Sequence, residues 1–271
     1  MRQLQHPVNH LDEEYSGVSP RTPNVDHENS NQANNVRMHL RADGHRVWGF
    51  VLYRCTYASD TDWESCIQRI HASVRENMDY YNGQDLIEEG CFQLTVISDA
   101  STLDGASTHT VRQHFNEWCG RMVQEEQGPP EETQRRKQKP PTWFTDWEVP
   151  VRYNFCIQVD EDSLRSFDSE WNPWVKLIKR DWKPREKEPS QFVPGPGWIM
   201  EIRGRYNDVE YDEFHTEEDD EEYPPIEGCT DEDVGWAKVR LLGLMPAMYV
   251  KLRNPNIWSI QYYRPPDLPE F

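Results

Sequence analysis

At 271 residues, with a formal charge of −19, eleven Trp and twelve Tyr, the chain has room for one domain or two small ones around an aromatic-rich core. A charge this negative excludes a protein that coats polyanions with an evenly basic surface. The opening MRQLQHPVNHLDEEYSG has no hydrophobic signal-peptide core and no run approaches a membrane span, so a cytoplasmic protein with reduced thiols is expected.

Residues 1–43 are polar, rich in Asn, His, Pro and Ser, and without periodic apolar pattern, which predicts a disordered tail. Residues 44–271 read as a single domain. Its first strand, 47–55, is almost continuously apolar, as in a strand buried on both faces. Arg54, Cys55, Thr56, Tyr57 and Asp60 crowd its C-terminal end. The sequence Thr61-Asp62-Trp63-Glu64 fits a capping box, and Trp63, Ile67, Ile70, Val74 and Met78 then follow along one helical face to a stop at Asn82-Gly83.

A second strand is expected at 91–97, with Phe92, Leu94 and Val96 alternating against Gln93 and Thr95. Ser98 and Asp99 end it, and Leu103, Asp104 and Gly105 turn the chain. Ser107 caps a second helix, whose core face is Val111, Phe115, Trp118 and Met122. Residues 128–141 form a Pro-rich charged break carrying the basic cluster Arg135, Arg136, Lys137 and Lys139. Trp143, Phe144 and Trp147 are expected to return the chain to the core.

A third strand spans 152–159, and Asp160, Glu161, Asp162 and Ser163 end it and open a short helix with Leu164 and Phe167. Residues 174–178 form another strand, inside a second basic cluster at 176–187. A loop at 183–196 precedes a strand at 198–202. Residues 208–233 hold fourteen acidic residues and no Lys or Arg, leaving about −5 for the rest of the chain. This segment reads as a disordered acidic insert without the spacing or Gly of a calcium loop. Residues 236–242 return to order, 244–252 read as helical with an interruption at Pro246, and 258–263 as a last strand.

The order β-α-β-α-β implies parallel pairing with right-handed crossovers at the start and antiparallel strands later. The expected class is α+β: a compact mixed sheet with helices on one face, loosely ferredoxin-like, with a small doubly wound α/β sheet as the alternative. Parallel strands bring their C-terminal ends to one edge, the usual ligand site of open sheets. That edge would gather Arg54, Cys55, Tyr57, Asp60, Ser98 and Asp99 as catalytic candidates. Asp104, Asp160 and Glu161 would bind substrate there. Carboxylates suit an amine or guanidinium or act as general base, while Cys55 or Ser98 suits a nucleophile. The competing reading is turn residues and helix caps.

Other chemistry is not signalled. The six cysteines form no CxxC, and no Cys/His pair has zinc spacing. His109 and His114 do not share a helix face cleanly. No phosphate loop, GxGxxG or GxSxG occurs, and no metal or cofactor is expected.

The block WGFVLYRCTY at 48–57, followed by Asp60 and Trp63, resembles a large group of intracellular filamentous-fungal proteins. The likeness continues at Leu103, Asp104, Gly105, Ala106 and Ser107, with Phe115 and Trp118, again over 153–160 and near Trp236. It covers roughly 45–265 outside the acidic insert. The chain is also similar in size, and in lacking a nucleotide loop, to the arginine-containing cyclodipeptide synthases, which join two aminoacyl groups carried by tRNA. That resemblance implies an aminoacyl transferase of fungal natural-product biosynthesis with aminoacyl-tRNA as partner. Its carboxylate edge at Asp60, Asp99 and Asp104 would hold an arginyl side chain, and its basic clusters, facing the same way, would meet tRNA phosphates. Bacterial cyclodipeptide synthases carry a nucleophilic Ser near the end of the first strand, where this chain reads Arg54, Cys55 and Thr56. Thr56, Cys55 or Ser98 would then serve. The alternative is a non-catalytic intracellular module that binds protein partners.

Overall fold

The computed structural model describes residues 21, 31–138, 150–169, 171–185 and 223–269. The chain divides into two compact units, Met1–Trp182 with Gly235–Phe271, and Lys183–Val234. The described elements of the first unit begin with α1 (Gln32–Asp43), β1 (Val51–Arg54), α2 (Asp60–Tyr80) and the short α3 (Asp85–Glu88). They continue with β2 (Thr95–Ile97), α4 (Ala100–Leu103), α5 (Thr108–Gln127), α6 (Pro130–Arg136) and β3 (Phe155–Val159). After α7 (Glu161–Ser166) come β4 (Trp174–Lys179), β5 (Trp236–Arg240) and α8 (Asn256–Gln261).

The sheet order is β2-β1-β3-β4-β5. β1 pairs in parallel with β2 and with β3, while β4 runs antiparallel to β3 and β5 antiparallel to β4. This is the mixed α+β sheet expected from the sequence. Its helices, however, cover both faces. Phe50, just before β1, and Leu52 of β1 join α2, α7 and the C-terminal segments in one core, with Ile157, Val175, Leu177 and Val239 from the other strands. Tyr53, on the opposite face of β1, meets Phe115 of α5, with ring centroids 6.4 Å apart. The first half is therefore wound like a doubly wound sheet, with the chain leaving β1 and β2 toward opposite faces. The ferredoxin-like, one-face arrangement gives way because α5 has its own apolar stripe of Val111, Phe115, Trp118 and Cys119. Each large apolar side chain that is fully buried, such as Phe50, Leu52 or Ile157, contributes about 1.5–3 kcal/mol.

Local chemistry explains most boundaries. α2 starts two residues earlier than the capping box predicts: Ser59, not Thr61, is the N-cap, and its hydroxyl accepts from the Asp62 amide. Its buried positions are Trp63, Cys66, Ile70, Val74 and Met78. Ser107 caps α5 as expected. Residues 91–94 make only one isolated bridge, Trp48 to Phe92, so the second strand is short. Val151–Tyr153 form a 3-10 turn before β3, where a continuous strand was expected.

Two expectations are corrected, and a third holds. Residues 32–43 of the supposed tail form α1, whose Ala33, Val36 and Met38 are buried; Asn31 caps it and Gly44 closes it in the left-handed conformation. Residues 256–261 are helical rather than a strand, with Trp258 packed against Phe155 at 5.6 Å. Alternation alone does not distinguish WSIQYY from a helix that needs one buried Trp. Residues 244–252 are helical in pieces, broken where Met245 adopts an extended conformation before Pro246. The expected strand at 198–202, residues 208–222 of the acidic insert and the aromatics Trp143, Phe144 and Trp147 lie outside the described residues, as do 1–20 and 22–30 of the tail. In the second unit, only 183–185 and 223–234 are described; Ile226 bridges Cys229, and the Asp231 carboxylate accepts from the Arg185 amide at 2.9 Å.

A buried ion network holds the end of the sheet opposite the candidate site. Arg152 is fully buried and uses all its donors. It grips Glu126 through two bonds of 2.7 and 2.6 Å, the carbonyls of Gly49 and Gln93 at 2.9 Å each, and the Thr95 hydroxyl at 2.7 Å. The Tyr153 hydroxyl donates to Glu126 at 2.8 Å, and the Gln127 amide donates to Tyr153 at 2.6 Å. One guanidinium thus ties α5 to β2 and to the entry of β1.

Candidate active site

The strand order reverses between β1 and β3. In open parallel sheets the crevice beyond the C-terminal ends at such a point is the usual ligand site. Arg54 ends β1. Its side chain is 9% exposed and lies between the rings of Tyr57 and Trp63, 4.4 and 5.0 Å from their centroids. It donates to the Thr56 carbonyl at 2.9 Å and to Asp60 at 2.5 Å. Arg54 is therefore locked into the start of α2, and only the outer part of Asp60, 81% exposed, faces solvent.

Cys55 is buried. Burial pushes its thiol up to about 12, against a lowering contact from Gln158. Its burial fits the packing role of a small apolar side chain. Thr56, also buried, donates its hydroxyl to Glu161 at 2.6 Å, across from β1 to the start of α7. Glu161 also holds Arg165 at 2.9 Å.

From β2, Ser98 is exposed and lies 3.3 Å from the hydroxyl of Tyr57. Asp99 caps α4. Its carboxylate accepts from the Ser101 amide and hydroxyl at 3.0 and 2.7 Å and from Thr102 at 3.0 Å. The Ser101 and Thr102 hydrogen bonds hold its acidity below the usual carboxylate range. Asp104 is exposed at the end of α4, and the following Gly105 amide donates to the Cys55 carbonyl at 3.1 Å.

From β3, Asp160 caps α7 in a reciprocal capping box with Ser163 and pairs with Lys176 at 2.6 Å. Burial alone would raise the Asp160 carboxyl, but the Lys176 ion pair and the Ser163 bonds outweigh it and hold the group low. Lys176 also lies over the Trp236 ring at 4.5 Å. On the α5 side, the Tyr53 hydroxyl and His114 Nδ1 are 3.1 Å apart.

The edge thus gathers five carboxylates, Asp60, Asp99, Asp104, Asp160 and Glu161, against Arg54, Lys176 and Arg165. It suits a cationic ligand. The one exposed hydroxyl pair among the candidates is Ser98 with Tyr57. The basic clusters are not gathered here. Arg136 donates to the Gly44 carbonyl at the entry of β1, at the far end of the sheet. In the second cluster, Lys176 reaches the edge, whereas Lys179 pairs with Phe155 at the start of β3. The sequence reading missed Trp63 and Lys176 as neighbours of the edge. Trp63 also lies on the core stripe of α2, and Lys176 lies in a run of like charges. A lone Lys inside the apolar strand 174–178 was the available signal.

No family model matches the chain, and neither a curated protein nor a solved structure is similar to it. Among the described residues no helix is long and apolar enough to cross a membrane, and no group of three or more His, Cys, Asp or Glu side chains comes together as a metal site.

Proposed function

We propose that the chain is an aminoacyl transferase of fungal natural-product biosynthesis that joins an arginyl group to a second aminoacyl group, both delivered by tRNA, into a cyclic dipeptide. The observation that carries this reading is the acidic switch-point edge, where Ser98 and Tyr57 present exposed hydroxyls 3.3 Å apart. The Ser98 oxygen attacks the aminoacyl ester, and the tRNA ribose oxygen leaves with the proton. The amine of the second aminoacyl-tRNA then attacks the serine ester, forming an amide and restoring the hydroxyl. The terminal amine of the resulting dipeptide displaces the second tRNA and closes the ring. Tyr57 supplies a proton relay beside Ser98, and Asp60, Asp99 and Asp104 attract the arginyl guanidinium.

A second reading, a non-catalytic protein-binding module, is favoured by one set of observations. Arg54, Asp99 and Asp160 each already fill a cap or an ion pair, and Arg136 lies at the opposite end of the sheet. Mass spectrometry of extracts from cells expressing the protein alone separates the two. A new arginine-containing cyclic dipeptide, absent with empty vector, supports the transferase. A folded protein that yields none refutes it in favour of the module.

A further inference from the structure

Near the C-terminal end of α5, where Arg136 donates to the Gln127 carbonyl, a cavity opens between α1, α3 and α6. Its volume is about 360 Å³, within the range of small-ligand sites. Its lining carries Arg37 and Arg41 from α1, Arg135 and Arg136 from α6 and the carboxylate of Glu89, while Asp85 pairs with Arg37 and Glu132 with Arg136. Four arginines around one cavity run against a chain whose net charge is −19.

Ion pairs and hydrogen bonds tie these arginines into the surrounding elements. Arg37 pairs with Asp85, and Arg136 donates to the carbonyls of Gly44 and Gln127. The Gln138 amide donates to the Arg41 carbonyl at 3.0 Å, closing α6 onto α1. Leu40, Leu86 and Cys91 supply apolar lining. His45, also in the lining, is kept below its ordinary pKa chiefly by its burial. It therefore adds little charge near neutral pH. Guanidinium groups match phosphate oxygens in geometry and hold them without being deprotonated. The apolar lining suits the body of a ligand whose anionic end meets the arginines.

We propose that this cavity is a binding site for a phosphate-bearing small molecule, independent of the switch-point edge and of the activity assigned to it. The α6 basic cluster is then part of a built pocket, not a solvated loop.

The test is isothermal titration of the full-length protein with pyrophosphate and with ADP at fixed, low ionic strength. Arg135 is exposed at the rim, so Arg135→Glu reverses a charge there without touching the core; unchanged thermal unfolding of the unliganded variant confirms its fold. Arg165→Glu, 70% exposed on α7, is the control for diffuse charge effects. Both probes are expected to bind, with at least a tenfold loss in Arg135→Glu, a smaller loss in Arg135→Gln and no change in Arg165→Glu. The inference is overturned if neither probe binds, if Arg165→Glu weakens binding as much as Arg135→Glu, or if only a single-stranded RNA oligomer binds.

Discussion

Replacing Arg152 by Met should be among the most damaging single changes available in the first unit. The Arg152 side chain is fully buried, and the Glu126 side chain is 8% exposed. Removing the guanidinium strands the Glu126 carboxylate and takes a donor from the carbonyls of Gly49 and Gln93. Breaking one partner of a buried ion pair costs about 3–5 kcal/mol. That is a large share of the roughly 5–15 kcal/mol that holds a domain folded. Urea unfolding followed by tryptophan fluorescence measures it. Glu126→Leu alone should cost a similar amount. The double variant should cost clearly less than the two singles combined, because no charge is then left unpaired. A loss below about 1 kcal/mol for Arg152→Met, or singles that add without coupling, would refute the assignment of this network as the tie between α5 and the sheet.

Three further outcomes follow from the same structure. Gly49 has φ of 106°, and a β-carbon there would lie 2.6 Å from the Gln93 carbonyl oxygen, so Gly49→Ala should destabilise by about 1–3 kcal/mol in the same urea assay. His39 is held well below its ordinary pKa of 6.5, first by burial and then by Arg253. The unfolded chain therefore takes up its proton first as pH falls, and stability present above about pH 6.5 is lost below it, by up to about 1.4 kcal/mol per pH unit. His39→Gln should flatten the fall in unfolding midpoint between pH 7 and pH 5, and an unchanged slope would remove His39 from the account. Ser98→Ala should abolish any product while leaving the unfolding curve unchanged, since Ser98 is exposed.

The strands and long helices were legible because their signals are local. The stripe Trp63, Ile70, Val74 and Met78 and the caps Ser107 and Asp160 each depend on residues within a few positions. The edge was legible in the same way, since residues that follow parallel strands must share one side. What stayed hidden depends on distant pairs. Arg152 and Glu126 stand 26 residues apart, and Arg253 reaches Asp43 across 210. α1 was concealed because its Asn and Arg residues are interleaved with the few apolar ones that pack. WSIQYY fits a strand by alternation, but in the structure it forms α8, with Trp258 buried in the core.

The most direct measurement of the central claim is transfer of label from radiolabelled arginyl-tRNA to the purified protein. The account predicts protein-bound label that survives acid, is released by base as an ester is, and is lost in folded Ser98→Ala. Absence of label on folded wild-type protein, or label that persists in Ser98→Ala, would contradict it.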